Sequence, residues 1–256
     1  MKVAGKDQTI SGETFETLRA RILAGEIAPG SKVKAQEVSQ SMGVSLGAVR
    51  EALSQLIAEG LVCVEAHRGY TVMPLSIADL LDLTRVRTEV EVLCLTWSMQ
   101  LGKLEWESAV MAASHRLAKT FRAADRTVNS PAWIAAHDTY HTALASACGS
   151  PRLSLIRTQL YELSERYRKM ESAMTRDRDP QEEHKRIAEA AIDRNIPVAT
   201  QLLSSHIERT TENIVKTMRK KISETAGTAN ARPQGGKARP RKTPQRQRQR
   251  QRDSVR

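Results

Sequence analysis

The sequence predicts a mainly α-helical chain in two folded segments, with one small β-hairpin at the end of the first. Three observations carry this. Apolar residues recur every three to four positions through most of residues 14–222, β-branched runs cluster only between Leu61 and Met73, and prolines and glycines stand at the joints of the helical pattern.

The first segment, residues 14–74, begins with a helix whose face is Phe15, Leu18, Ile22 and Leu23, stopped by Gly25 and the Ala28-Pro29-Gly30 turn. A short helix covers Ala35 to Met42 and Gly43 breaks it. Ser45 is suited to cap a third helix, whose Val49, Leu53, Leu56 and Ile57 face a core and which Gly60 closes. Leu61 to Val64 and Tyr70 to Met73 flank a tight turn over residues 65–69 and read as a hairpin. Helix, helix, short break, helix and hairpin is the order of a winged helix-turn-helix, whose third helix enters the DNA major groove.

The second segment, residues 75–223, reads as six helices: Ser76–Met99, Leu104–Ala124, Pro131–Ala147, Pro151–Glu171, Pro180–Arg194 and Pro197–Ile222. Pro131, Pro151 and Pro197 fit the first turn of a helix, and Gly102 and Gly149 fit C-terminal ends. An antiparallel α-helical bundle is the architecture expected. Residues 1–13 read as a flexible N-terminus. Residues 224–256, with their Gln-Arg repeat and almost nothing apolar to bury, read as a disordered basic tail.

The net charge of +11 invites a nucleic-acid reading, but its location matters. Residues 226–256 hold ten Lys/Arg and one acid, whereas residues 1–74 hold eight of each. The reading head is formally neutral, so DNA binding must rest on a local arrangement. Cys63, Cys94 and Cys148 are far apart without a C-x-x-C pair, which argues against a disulfide framework or a thiolate zinc site. With no h-region after the N-terminus and no run of eighteen apolar residues, a cytoplasmic protein without a membrane span is expected.

Several blocks match a known family in order and spacing: Ile27-Ala28-Pro29-Gly30, Gly43-Val44-Ser45, Val49-Arg50-Glu51-Ala52-Leu53, Glu59-Gly60-Leu61-Val62 and Arg68-Gly69-Tyr70-Thr71-Val72. Over residues 14–73 the chain resembles the GntR family of bacterial regulators. The resemblance implies that Arg50 contacts a base, guanine by a bidentate pair, and that Ser45 bonds a phosphate or base. Lys32, Lys34, Gln36, His67 and Arg68 would be neighbouring contacts. Where the family usually has Ser-Arg-Thr-Pro, this chain has Ser45-Leu46-Gly47-Ala48. A usual arginine contact is therefore missing, and either the operator differs or Leu46 touches a thymine methyl.

In the second segment His137 and His141 are four apart and share one helix face. From spacing alone this is more often an ordinary histidine pair than a metal site. His184 and His206 lie on the last two helices, where bundle packing could bring them to the first pair. Val86-Arg87-Thr88-Glu89-Val90-Glu91, Tyr140-His141-Thr142-Ala143-Leu144 and the His184/His206 pair are similar to the helical ligand-binding (FCD) domain of FadR-type GntR regulators, in its shorter, VanR-like six-helix form.

In metal-binding members of that domain an aspartate and three histidines hold the ion. Carried over, the ligands are His137, His141, His184 and His206, with histidine where aspartate is expected. Asp138 is one position off and about 100° around the helix. Imidazoles suit zinc or nickel over magnesium or calcium. The resemblance also implies that Arg87 anchors an effector carboxylate; its alternative is an intrahelical pair with Glu91.

The resulting expectation is a DNA-binding transcriptional repressor, a homodimer on an inverted-repeat operator of double-stranded DNA. A small carboxylate effector, bound beside the metal, would release it. Three rivals are weaker. Gly43-Val44-Ser45-Leu46-Gly47 fits the G-x-S-x-G of serine hydrolases, but a polar helix precedes it where a strand is needed. A metal-dependent hydrolase with Glu183 as base lacks H-E-x-x-H and leaves the first segment unexplained. A non-specific nucleic-acid binder acting through the tail would not need six helices.

Overall fold

Thr9 opens α1 (Ile10–Ala24) by accepting the Gly12 amide on its hydroxyl, and Gly25 closes it at φ +82°. The helix starts ahead of Phe15 because Ser11 and Thr14 are the buried residues of its first turns, and polar residues on a buried face leave no apolar stripe to read. α2 (Ala35–Met42) ends at Gly43, whose φ of +66° makes the sharp turn into α3 (Leu46–Ala58). That left-handed conformation is costly for a residue with a Cβ. Ser45 caps α3 by accepting the Ala48 amide.

The strands β1 (Lys32–Val33), β2 (Val62–Glu65) and β3 (Gly69–Val72) form an antiparallel sheet in the order β1-β3-β2, with Val62 opposite Val72 and Lys32 opposite Thr71. The hairpin was expected; β1 was not, since two residues carry no alternation to detect. Leu18 and Ile22 of α1, Val49, Leu53 and Leu56 of α3, and Val33, Val62 and Val72 of the sheet close one apolar core. The three helices and wing therefore form the mainly α winged helix-turn-helix that the sequence predicts.

Six helices follow: α4 (Ile77–Leu101), α5 (Leu104–Ala123), α6 (Pro131–Ala145), α7 (Pro151–Arg168), α8 (Pro180–Ile192) and α9 (Ile196–Asn230). Ser76, Ser130, Ser150 and Asp179 cap α4, α6, α7 and α8 by accepting backbone amides. α9 continues past Ile222 to Asn230. Gly102 ends α4 in an extended conformation at φ −63°, so it is not required for left-handed backbone. It is required for space, because a Cβ there would stand 2.6 Å from the Ser98 carbonyl oxygen and 2.8 Å from the Trp106 ring. Trp106, Val110, Leu117, Tyr140, Ile187 and Leu203 lie in the main apolar core of α4, α5, α6, α8 and α9.

These elements are seen in a computed structural model that describes residues 9–65, 69–123, 130–169 and 179–230. Residues 1–220 form one compact unit; in the second, residues 221–256, the described residues 221–230 are helical. No helix among the described residues is long and apolar enough to cross a membrane.

Within the first unit, α7 joins the two segments. Its Leu163 packs on the apolar core of the winged segment. Arg19 of α1 donates to Glu162 of α7 and, at 2.6 Å, to Glu59 at the end of α3. Arg166 donates to the Met73 carbonyl at 2.8 Å and Lys169 to the Leu23 carbonyl. Tyr167 accepts the Ser76 amide and donates to Asp79, which fixes the start of α4.

Candidate metal-binding cavity and DNA-reading face

His137 and His141 stand one turn apart on α6, a spacing that puts both rings on one side. α8 supplies His184 in its second turn and α9 supplies His206, and all four imidazoles are buried. One ring nitrogen from each lies within 4.8 Å of the others. His137 Nε2 and His141 Nε2 are 3.1 Å apart, and the His184 and His206 ring centres 4.4 Å apart. The structure thus brings together the four residues named from the sequence.

The donor set fits a divalent transition metal. Metal–imidazole bonds of about 2.0–2.1 Å place neighbouring ligand nitrogens roughly 2.9–3.4 Å apart, a range that includes the His137–His141 separation. Burial, reinforced by the other imidazoles and nearby guanidinium groups, holds His137 and His141 well below the ordinary imidazole range. Neutral rings keep the lone pair a metal requires.

The surroundings orient these rings. The Tyr161 hydroxyl of α7 lies 3.2 Å from His137 Nδ1, and Trp133 stacks on the His137 ring at 4.6 Å. Arg168 lies over the Trp133 ring. Tyr140 donates to the His184 carbonyl at 2.7 Å and so ties α6 to α8. His206 Nδ1 is 2.8 Å from Glu183 Oε2. Asp138 does not line the cavity; burial and the neighbouring Glu165 raise its carboxyl above the usual range.

Arg87 of α4 lines the same cavity. Its other expected role, an ion pair with Glu91, is present but beyond hydrogen-bond reach: Arg87 Nε is 3.6 Å from Glu91 Oε1, whereas Arg157 of α7 donates to Glu91 Oε2 at 2.8 Å. Glu91 belongs chiefly to Arg157, and Arg87 Nε is a buried donor without a hydrogen-bond acceptor. The Arg87 guanidinium lies 4.8 Å above the Tyr161 ring. A buried donor in this condition is costly and favours an anionic partner. The free volume of the cavity is about 40 Å³, room for roughly three waters.

On the winged segment, Lys32, Lys34, Gln36, Leu46 and Arg50 line one shallow groove with Gly69 and Tyr70. Arg50 is exposed one turn after Leu46, so both sit on the outer side of the N-terminal half of α3. Lys34 pairs with Glu37 at 2.7 Å, both exposed. Ser45 spends an acceptor site on the α3 cap, and its hydroxyl proton stays available to a phosphate. His67 and Arg68 lie outside the described residues. Sequence reasoning missed Tyr161 and Arg157, whose partners His137 and Glu91 lie 24 and 66 residues away, and Trp133, which stacks on His137 one turn along α6 and reads as an ordinary core aromatic. It named Glu183 as a possible hydrolytic base, whereas Glu183 faces His206 Nδ1.

Comparisons with known proteins identify the families of the two segments. Residues 10–72 match the family described as bacterial regulatory proteins, gntR family, and residues 82–209 match the FCD domain. The chain is 37% identical over 201 residues to the uncharacterized HTH-type transcriptional regulator BphR of Paraburkholderia xenovorans (76% of this chain, 81% of BphR). It is 30% identical over 200 residues to the HTH-type transcriptional repressor GlaR of Escherichia coli (75% of this chain, 90% of GlaR). The solved structure of E. coli McbR/YncC shares the fold, with a TM-score of 0.66 at 15% identity over 82% of this chain and 99% of that one.

Proposed function

Because the chain belongs to the GntR family of bacterial regulatory proteins and carries an FCD domain, we propose that it is a cytoplasmic repressor governed by a small carboxylate at a metal-dependent sensor site. It is a DNA-binding transcription regulator and not an enzyme, as its relatives are. The observation that carries the finer reading is the convergence of four buried imidazoles beside Arg87 in one cavity. His137, His141, His184 and His206 would hold zinc or nickel, which when bound supplies a cationic site for one carboxylate oxygen. Arg87 orients a second oxygen through its guanidinium. The small cavity volume favours an acid of a few carbon atoms.

On the DNA side, Arg50 would read a guanine edge, with Ser45, Leu46, Lys32, Lys34, Gln36, His67 and Arg68 around it. Two copies would bind an inverted repeat as a homodimer. Val86, Val90, Leu93 and Trp97 of α4 are exposed or half-buried at heptad spacing, which supports that face as the dimer seam. The name of GlaR supports repression as the sign.

The layout of α7 supports a route from sensor to reader. Tyr161, Ser164, Glu165 and Arg168 are on the cavity side, while Glu162, Leu163, Arg166 and Lys169 hold the winged segment. A ligand that favours one position of α7 thereby shifts the placement of the reading head.

The test is a thermal-shift screen of small mono- and dicarboxylates with and without zinc or nickel. A ligand at one hundred times its Kd stabilises by about 2.7 kcal/mol, a rise of about 5–10 °C for a unit of this size. The expected result is a shift that needs both metal and acid and that Arg87→Ala abolishes. Absence of any metal-induced shift, together with no zinc or nickel in protein purified without chelator, would sink the metal part. A metal shift with no acid response would sink the effector part.

A further inference from the structure

An imidazole that ligates through one nitrogen carries its proton on the other, and the group facing that other nitrogen fixes the tautomer and tunes the ligand. The four cavity histidines differ in what stands behind them. His137 Nδ1 faces a neutral phenol, that of Tyr161, at 3.2 Å. His206 Nδ1 faces a carboxylate, Glu183 Oε2, at 2.8 Å. An ionised carboxylate only accepts, so the proton belongs on His206 Nδ1 and the lone pair on Nε2.

Glu183 precedes His184 on α8, and the roughly 100° between successive helical residues lets His184 enter the cavity while Glu183 reaches across to α9. Its second oxygen, Oε1, accepts from Arg209 Nη1 at 3.3 Å. Arg209 is three residues after His206 on α9 and hence on the same side. The Glu183 side chain is 14% exposed and that of Arg209 61% exposed, so the arginine braces the carboxylate from the solvent side.

The charge balance gives this arrangement its purpose. All four cavity donors are imidazoles, so they offset none of a divalent ion's charge; of the charged residues lining the cavity, Arg168 and Glu165 pair with each other and Arg87 adds a further cation. The carboxylate absent from the donor set stands one layer behind it, hydrogen-bonded to one donor.

We propose that Glu183 is a positioning residue for the metal site: it holds His206 in the Nδ1–H tautomer with Nε2 as donor and supplies the negative charge the imidazoles lack. This rests on reading the histidine cluster as a metal site.

The experiment uses the full chain stripped of metal by dialysis against EDTA. Calorimetric titration with nickel and with zinc is run on the wild type, Glu183→Gln, Glu183→Asp and Arg209→Gln, alongside ¹⁵N–¹H correlation of histidine-labelled protein to read the His206 tautomer without metal. Glu183→Gln should weaken metal binding by roughly 10–100-fold and mix the His206 tautomers; Glu183→Asp should restore part of both. Arg209→Gln should cost at most a few-fold, since its pair is largely exposed.

Equal metal affinity in the wild type and Glu183→Gln would overturn the proposal while leaving the metal reading intact. If the wild type binds neither ion, the metal reading fails, and the proposal as stated falls with it. The tautomer measurement then judges the contact alone: an Nε2–H His206 in the wild type would show that Glu183 does not position it.

Discussion

Replacing Arg19 with alanine removes the side chain that α7 shares with both α1 and the end of α3. Arg19 is held by Glu162 and Glu59, with side-chain exposures of 19% for the arginine, 30% for Glu162 and 29% for Glu59. A hydrogen bond to a buried charged group contributes about 1.5–3 kcal/mol, whereas a fully exposed ion pair contributes about 0.2–1 kcal/mol. Partial exposure places each pair between these, at about 0.5–1.5 kcal/mol, or about 1–3 kcal/mol for both. At about 2–4 °C per kcal/mol for a unit of this length, Arg19→Ala should lower the Tm by about 2–12 °C. The assay is circular-dichroism melting of the single variant and of the cycle with Glu162→Gln. Residues in one ion-pair network should show a coupling energy of at least about 0.5 kcal/mol. A Tm change below about 1 °C with no coupling would refute the claim that this clamp joins the two segments.

Three further outcomes are expected. Arg50→Ala should weaken binding to an operator selected from random duplexes by about 1–3 kcal/mol, with relaxed preference at one base pair, as read by gel shift; a uniform loss across sequences would reassign Arg50 to a phosphate. Burial pushes the Cys94 thiol up to about 12, so at pH 8 only roughly one molecule in ten thousand carries the thiolate and alkylation should await unfolding. Since an unfolded thiol ionises near pH 8.5, the sign is a loss of native stability as pH rises above that value; alkylation of folded Cys94 at the rate of the denatured chain would contradict its burial. Deleting residues 231–256 removes ten Lys/Arg and should flatten the salt dependence of DNA binding without changing operator preference; an unaltered slope would mean the tail does not touch DNA.

The legibility of these features followed the range of the interactions behind them. α2 and α3 could be placed from Gly43 and Ser45 because caps and left-handed glycines act within a few residues. The start of α1 was hidden by Ser11 and Thr14, which are buried though polar. α7 was readable as a helix but not as a joint, because its buried side includes Arg157, Arg166 and Arg168. Charged residues look like solvent-facing ones until a partner is known. Glu91 and Met73 lie 66 and 93 residues away from the arginines they bind. For the histidines, the four-residue spacing of His137 and His141 showed a shared face, while the arrival of His184 and His206 depended on how α6, α8 and α9 pack. Glu183 was noticed as a neighbour of His184, yet its role turns on a contact with α9.

The stack of Trp133 on His137 has a practical consequence. The indole is held between that imidazole and the Arg168 guanidinium, whereas Trp106 donates to the Ala143 carbonyl at 3.0 Å within the main core and Trp97 packs near Cys94 and Cys148. Any event that displaces His137 changes the surroundings of one indole and leaves the other two as background. The protein therefore carries its own fluorescent reporter beside the histidine-lined cavity, and binding there can be followed by intrinsic emission without a label.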